Sequence, residues 1–158
     1  MRRLSPALTG IAALTAVFAA VPTAYAIDFP AQPHTIRNAA TGACLGEEGR
    51  QVRMDDCSGS KPTTWQIRQT ESGDMLRNIT STSCLDTDGV DVYLSDCNAS
   101  DLGQRWYVRD CGVSIFSRLA YERGIGDYLT GWNAGTASVT GFTAGKSEWR
   151  VSDWSCED

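Results

Sequence analysis

Residues 76–106 read LRNITSTSCLDTDGVDVYLSDCNASDLGQRW, and this stretch decides how the rest of the chain is understood. It holds Cys84-Leu85-Asp86, then Val92-Tyr93-Leu94, then Cys97 thirteen residues after Cys84, and closes on Gln104-Arg105-Trp106. A copy lies on the N-terminal side. Thr35-Ile36-Arg37-Asn38 leads to Cys44-Leu45, and forty residues on Met75-Leu76-Arg77-Asn78 leads to Cys84-Leu85. A weaker copy follows, with Phe116-Ser117-Arg118 in place of Leu76-Arg77-Asn78 and Tyr128-Leu129-Thr130 in place of Cys-Leu-Asp. Trp65, Trp106 and Trp149 keep the same beat. Self-similarity at a fixed period of this length marks a repeat architecture whose units must share one core. The units are predicted at about 35–74, 75–114 and 115–154.

Within each copy the apolar residues alternate with polar ones at period two. Trp65/Ile67, Trp106/Val108, Trp149/Val151, Val52/Met54 and Val92/Leu94 are pairs that would face one way on short strands. Turn residues separate them at Thr41-Gly42, Glu48-Gly49, Ser72-Gly73, Asp88-Gly89, Asn133 and Gly135. No window carries a sustained helical stripe with caps. The reading is all-β, about four short strands per unit.

The six cysteines are Cys44, Cys57, Cys84, Cys97, Cys111 and Cys156. An even count in an exported chain implies a disulfide framework. Equivalent positions in two copies pair Cys44 with Cys57 and Cys84 with Cys97, leaving Cys111 with Cys156. Loop entropy gives each bridge a value on the order of 3–4 kcal/mol. Export is read from the N-terminus. Arg2 and Arg3 precede an apolar run from Ala7 to Val21, and Ala24-Tyr25-Ala26 has the form of a cleavage site. Residues 1–26 are thus expected to be a signal peptide, residues 27–158 a single secreted domain with no remaining membrane anchor.

Loss of Arg2 and Arg3 takes the formal charge from −5 to −7. That balance argues against nucleic acid, which needs a basic footprint. Zinc is disfavoured because no C-x-x-C is present and the one histidine, His34, stands near the start of the expected domain. No metal or other cofactor is expected. Catalysis finds little support either: the sequence has no G-x-S-x-G, H-E-x-x-H, P-loop or dinucleotide fingerprint. Carboxylate neighbours such as Asp55 with Asp56, or Asp88 with Asp91, read as solvated turns. The chain is expected not to be an enzyme.

Three units with Cys-Leu-Asp early and Gln-x-Trp late resemble the ricin-type β-trefoil lectin domain, over roughly Thr35 to Trp154. The resemblance implies a six-stranded barrel capped by three hairpins. It implies up to one galactose-type site per unit: an Asp after Cys-Leu, an aromatic ring just after the Val-x-Leu strand, and polar residues before the last tryptophan. Such a site would grip a sugar's hydroxyls with carboxylate and amide groups and its C–H face with a flat ring.

Carried over position by position, the first unit has Gly46 and Asp55 where the Asp and the ring should be, and Pro62-Thr63-Thr64 before its tryptophan. The third has Thr130 for the Asp, with Trp132 and Phe142 as either sugar platforms or barrel filling. The second keeps Asp86 and Gln104, but has Ser95 at the ring position and Gly103 for the usual Asn. Tyr93, two residues from Ser95 and so on the same face, could supply the ring, and Asn98 an amide. Asp86, Tyr93, Asn98 and Gln104 are therefore the expected glycan-binding residues. Asp86 and Gln104 could equally bond each other with no ligand, and the tryptophans of the repeat read as core. Two functions follow: a carbohydrate-binding module, or a trefoil without sugar sites that binds a secreted protein as an inhibitor or complex subunit.

Overall fold

Period-two patterning becomes twelve short strands in a computed structural model that describes residues 27–57, 63–133 and 135–154. They are β1 (His34–Asn38), β2 (Cys44–Glu48), β3 (Gln51–Asp55), β4 (Thr64–Arg68), β5 (Met75–Asn78), β6 (Cys84–Thr87), β7 (Val92–Ser95), β8 (Trp106–Arg109), β9 (Ser114–Ser117), β10 (Tyr128–Gly131), β11 (Ala137–Thr140) and β12 (Trp149–Val151). The expected signal peptide lies outside the described residues.

Six strands close on themselves. β12 pairs with β1, β1 with β4 and β4 with β5. The bridge Asp74↔Trp106 carries the ring on to β8, β8 pairs with β9, and the bridge Ser114↔Glu148 returns it to the edge of β12. Closure satisfies the backbone groups that an open edge would expose. The other six strands form the hairpins β2–β3, β6–β7 and β10–β11.

Three tryptophans sit at the centre, Trp65 and Trp106 at 0% exposure and Trp149 at 1%, which gives them the core role expected of them. Each indole N–H donates to a leucine carbonyl on the neighbouring hairpin: Trp65 to Leu45 at 2.8 Å, Trp106 to Leu85 at 3.0 Å, Trp149 to Leu129 at 2.9 Å. The polar end of a buried indole needs such a partner, so each tryptophan ties one hairpin to the barrel. Ile36, Leu76, Ile115 and the three leucines belong to the same apolar cluster.

Two of the expected disulfides are present, Cys44–Cys57 and Cys84–Cys97, each with Cα atoms 5.0 Å apart. The expected partner of Cys111, Cys156, lies outside the described residues. At the corresponding place on β10 the chain has no cystine. Tyr128 pairs with Thr140 as Cys84 pairs with Ser95, and the Tyr128 ring packs edge-on against Phe142 at 5.2 Å. An aromatic pair there takes over the stapling position.

The stretch expected to be the third copy starts one residue earlier than its sequence suggests. Trp65 pairs with Asn78 and Trp149 with Asn38, while Trp106 pairs with Ser117. Ser117 is thus the counterpart of the two asparagines, and buried Ile115 the counterpart of Leu76, not Phe116. A one-residue shift swaps faces on a strand, so Phe116 stands on the outside beside Tyr107 and Tyr128. The deception has a local cause. Asn38 and Asn78 fold a turn by accepting from Ala40 and Thr41, and from Thr80. Ser117 instead caps a helix, α1 (Arg118–Glu122), accepting from the Ala120 N–H. That helix, absent from the strand-only reading, is what lengthens the third copy. Arg118 belongs to it and bonds Glu122 and the Ser72 carbonyl.

The lead-in also packs. Phe29 is buried against Met75 and Cys84, with the Arg77 guanidinium over its ring at 4.4 Å. His34 is buried in β1, its Nδ1 2.7 Å from the Ser152 carbonyl.

Candidate functional site

Strands β6 and β7 set Asp86 directly opposite Tyr93, and Cys84 opposite Ser95. Gln104 arrives from a single 3-10 turn, Leu102–Gln104, started by Asp101, whose carboxylate accepts from the Gly103 N–H at 2.9 Å. Asp86 and Gln104 are buried, at 4% and 1% exposure, which decides how they interact. Ser95 donates to Asp86 Oδ2 at 2.5 Å, and the Gln104 amide N–H donates to Ser95 Oγ at 2.6 Å and the Asp96 carbonyl at 2.9 Å. A longer contact of 3.4 Å links Gln104 to the same Asp86 oxygen. Asp86 Oδ1 accepts from the Thr87 N–H at 2.7 Å, and Gln104 Oε1 from the Asn98 N–H at 2.8 Å.

The structure therefore brings Asp86 and Gln104 together through Ser95. The sequence marked Ser95 only as a missing ring; its hydroxyl is the hub of the cluster. Gly103 leaves room for this arrangement, since a Cβ there would collide with Asp86 Oδ1 and the Thr87 carbonyl. Arg105, between Gln104 and Trp106, is buried and reaches the carbonyls of Ala99 and Gly73, pinning the loop above the cluster. Asn98 itself is exposed and spends its side-chain oxygen on the Ser100 N–H at 3.0 Å.

Tyr93 is different. It is 37% exposed, and burial first, then the nearby carboxylates of Asp86, Asp88 and Asp101, raise its phenol above the ordinary value. A neutral phenol beside a fixed carboxylate offers a flat apolar face and a polar tip in one place. Asp88 is held in a turn by accepting from the Val90 and Asp91 N–H groups, which lower its pKa.

The cluster has a counterpart on β10 and β11. Thr130, Thr140 and Ser147 join hydroxyl to hydroxyl at 2.9 Å in the places of Asp86, Ser95 and Gln104. The same scaffold stands with no charge in it. In the first segment Gly46 lies opposite Arg53. Trp132 donates to Ser138 Oγ at 2.7 Å, and Lys146 Nζ lies 4.6 Å from the centre of its ring; Phe142 is 56% exposed.

Among the described residues no group of three His, Cys, Asp or Glu side chains is placed to hold a metal ion, and no helix is long and apolar enough to cross a membrane.

Comparison with known proteins bears on the scaffold. Residues 32–121 match the family model of the ricin-type β-trefoil lectin domain. No curated relative matches in sequence. Among solved structures, the designed three-fold symmetric protein ThreeFoil superposes with TM-score 0.62 at 20% identity, over 77% of this chain and 98% of that one. SeviL, solved bound to asialo-GM1 saccharide, gives 0.60 at 13% identity, over 75% and 94%. An exo-β-1,3-galactanase from Clostridium thermocellum gives 0.63 at 17% identity, over 77% of this chain but only 30% of that one. At such identities the likeness is one of fold.

Proposed function

The chain belongs to the ricin-type β-trefoil lectin family, and from that premise we propose that it is an exported carbohydrate-binding module with no catalytic activity of its own. Residues 1–26 serve as the signal peptide, β1–β4, β5–β8 and β9–β12 are three repeats of one unit, and Cys111 closes the third bridge with Cys156. The second unit holds the best sugar site, built on Asp86, Tyr93, Asn98 and Gln104.

One observation carries the site. Asp86 is the only carboxylate at its position among the three units, and it is fixed by Ser95 and the Thr87 N–H before any ligand arrives. A carboxylate oxygen has more than one lone pair, so Asp86 can accept a sugar hydroxyl on top of the bonds that orient it. Tyr93, opposite on β7, gives the sugar's C–H face a ring in place of the one Ser95 lacks. Such preorganisation lowers the ordering cost of binding. A galactose-type hexose fits the family pattern, and binding at one site would be weak until several copies act together.

A printed glycan array and a galactose resin test this reading. Binding is expected on at least one glycan series, with Asp86→Ala reducing it at least tenfold and Asp86→Asn less so, since the amide oxygen still accepts. A protein that binds no glycan in either format is not a lectin, and the partner-binding alternative would take its place.

A further inference from the structure

At the place where the three hairpins meet, the chain forms a second candidate site that no single unit contains. Three backbone bonds run around this point in a ring: Leu94 N–H to the Arg50 carbonyl at 2.9 Å, Val139 N–H to the Val90 carbonyl at 2.8 Å, and Met54 N–H to the Gly135 carbonyl at 3.0 Å. The facing pairs also cycle, with Gln51 against Tyr93, Asp91 against Ser138, and Thr136 against Arg53. A hollow of about 440 Å³ opens over the ring, its floor made by Val52, Val92 and Ala137. A closed set of backbone bonds makes that floor rigid.

Its walls do not share the symmetry of its floor. One set of equivalent positions carries Gln51, Asp91 and Thr136, and the other carries Arg53, Tyr93 and Ser138. Trp132, which leads into β11, adds a second ring to the wall. Two aromatic residues, a carboxylate, an amide, two aliphatic hydroxyls and a guanidinium thus converge from three stretches of sequence. The lining carries one guanidinium and one carboxylate. Arg53 lies 3.5 Å from Glu48 and donates to Gln51 at 2.7 Å, so its positive charge is already compensated. Asp91 is exposed and bonds Thr87 and Asp88 through its backbone, leaving the carboxylate to face solvent. Flat rings and directed polar groups suit a polyhydroxylated ring, and the Asp91 carboxylate, unpaired among the described residues, disfavours an anion.

We propose that this hollow is a glycan subsite, taking a neutral pyranose of an oligosaccharide whose neighbouring sugar sits at Asp86. Tyr93 is the seam: it lies opposite Asp86 on one side and lines the hollow on the other. The inference rests on the carbohydrate-binding reading above, and extends it from one sugar to a chain. It makes the molecule a binder of one oligosaccharide at its axis, with all three hairpins supplying residues to the hollow.

The test is the same glycan array, read within each series from mono- to trisaccharide, on the wild type, Asp91→Ala and Trp132→Phe. Asp91→Ala removes an exposed side chain, so its fold is secure whatever Trp132→Phe does to packing. Wild type is expected to bind di- and trisaccharides at least tenfold better than the monosaccharide, and each variant to lose that gain while its monosaccharide binding stays at the wild-type level. Oligosaccharide binding unchanged in both variants, or monosaccharide binding falling in parallel, overturns the subsite and leaves the lectin reading standing. No glycan binding by the wild type removes both. Fluorescence gives a second readout: Trp65, Trp106 and Trp149 are fully enclosed and Trp154, packed against His34, does not line the hollow, so an emission change on oligosaccharide addition should vanish in Trp132→Phe.

Discussion

Asp74 shows how much a single side chain can do in a barrel this small. It is 3% exposed, accepts from the Val108 N–H at 2.9 Å, and sits in the bridge that joins β5 to β8. Burial raises its pKa above 3.8, against the lowering pull of the Val108 N–H and of Arg109, 3.8 Å away. The folded state therefore holds the proton more tightly than the unfolded chain. Stability contributed by that proton is complete below the unfolded pKa and is lost as pH rises through the folded one. Asp74→Asn should flatten this dependence: the wild type gains stability relative to the variant as pH falls toward 3.8. Each tenfold difference in proton affinity between the two states is worth about 1.4 kcal/mol. Urea unfolding between about pH 3 and 7 measures it, on either side of the carboxylate range, and parallel curves for the two proteins would contradict it. At this scale the tryptophans were legible in the sequence, because period two and a buried indole leave few alternatives. The linkage of Asp86 to Gln104 through Ser95 was not, because a serine's partner depends on which rotamer the folded surroundings select.

Among the elements, the hairpins carry the proposed sites and the staples hold them. Cys44–Cys57 and Cys84–Cys97 fasten the first two, and Tyr128 with Phe142 occupies the same place at the third. If the positions are equivalent, the double variant Tyr128→Cys, Phe142→Cys should oxidise to a new bridge without disturbing the barrel. Mass mapping under non-reducing conditions should find the two introduced thiols joined to each other, with a stability gain of up to about 3 kcal/mol for a loop of this length. Two persistent free thiols would show that the hairpins are not interchangeable. The sequence yielded the strands and the two native cystines because a repeat writes the same constraint twice. It misplaced the start of the third copy. Ser117-Arg118 imitates the Arg-Asn step there, yet Ser117 with Ala120 three residues on is a helix cap, and a cap and a turn use the same side-chain oxygen.

For the whole molecule, the hollow at the hairpin ring was beyond any reading of sequence. Its residues lie far apart along the chain, and nothing in Gln51, Asp91 or Trp132 announces that they meet. Barrel closure has the same long reach. β1 and β12 pair through Ile36 and Val151, and His34 holds the Ser152 carbonyl. Contacts so distant in sequence slow folding. Refolding with the disulfides intact should accordingly take milliseconds to seconds in stopped-flow tryptophan fluorescence, and a microsecond phase accounting for the full amplitude would contradict this. The closure between β1 and β12 also sets an order of events. Of the twelve described strands, the one that seals the barrel is made last, so a growing chain cannot finish this fold midway. A chain threaded through a membrane as it is made would cross as an open thread, and take its shape only on the far side, when the last strand finds the first.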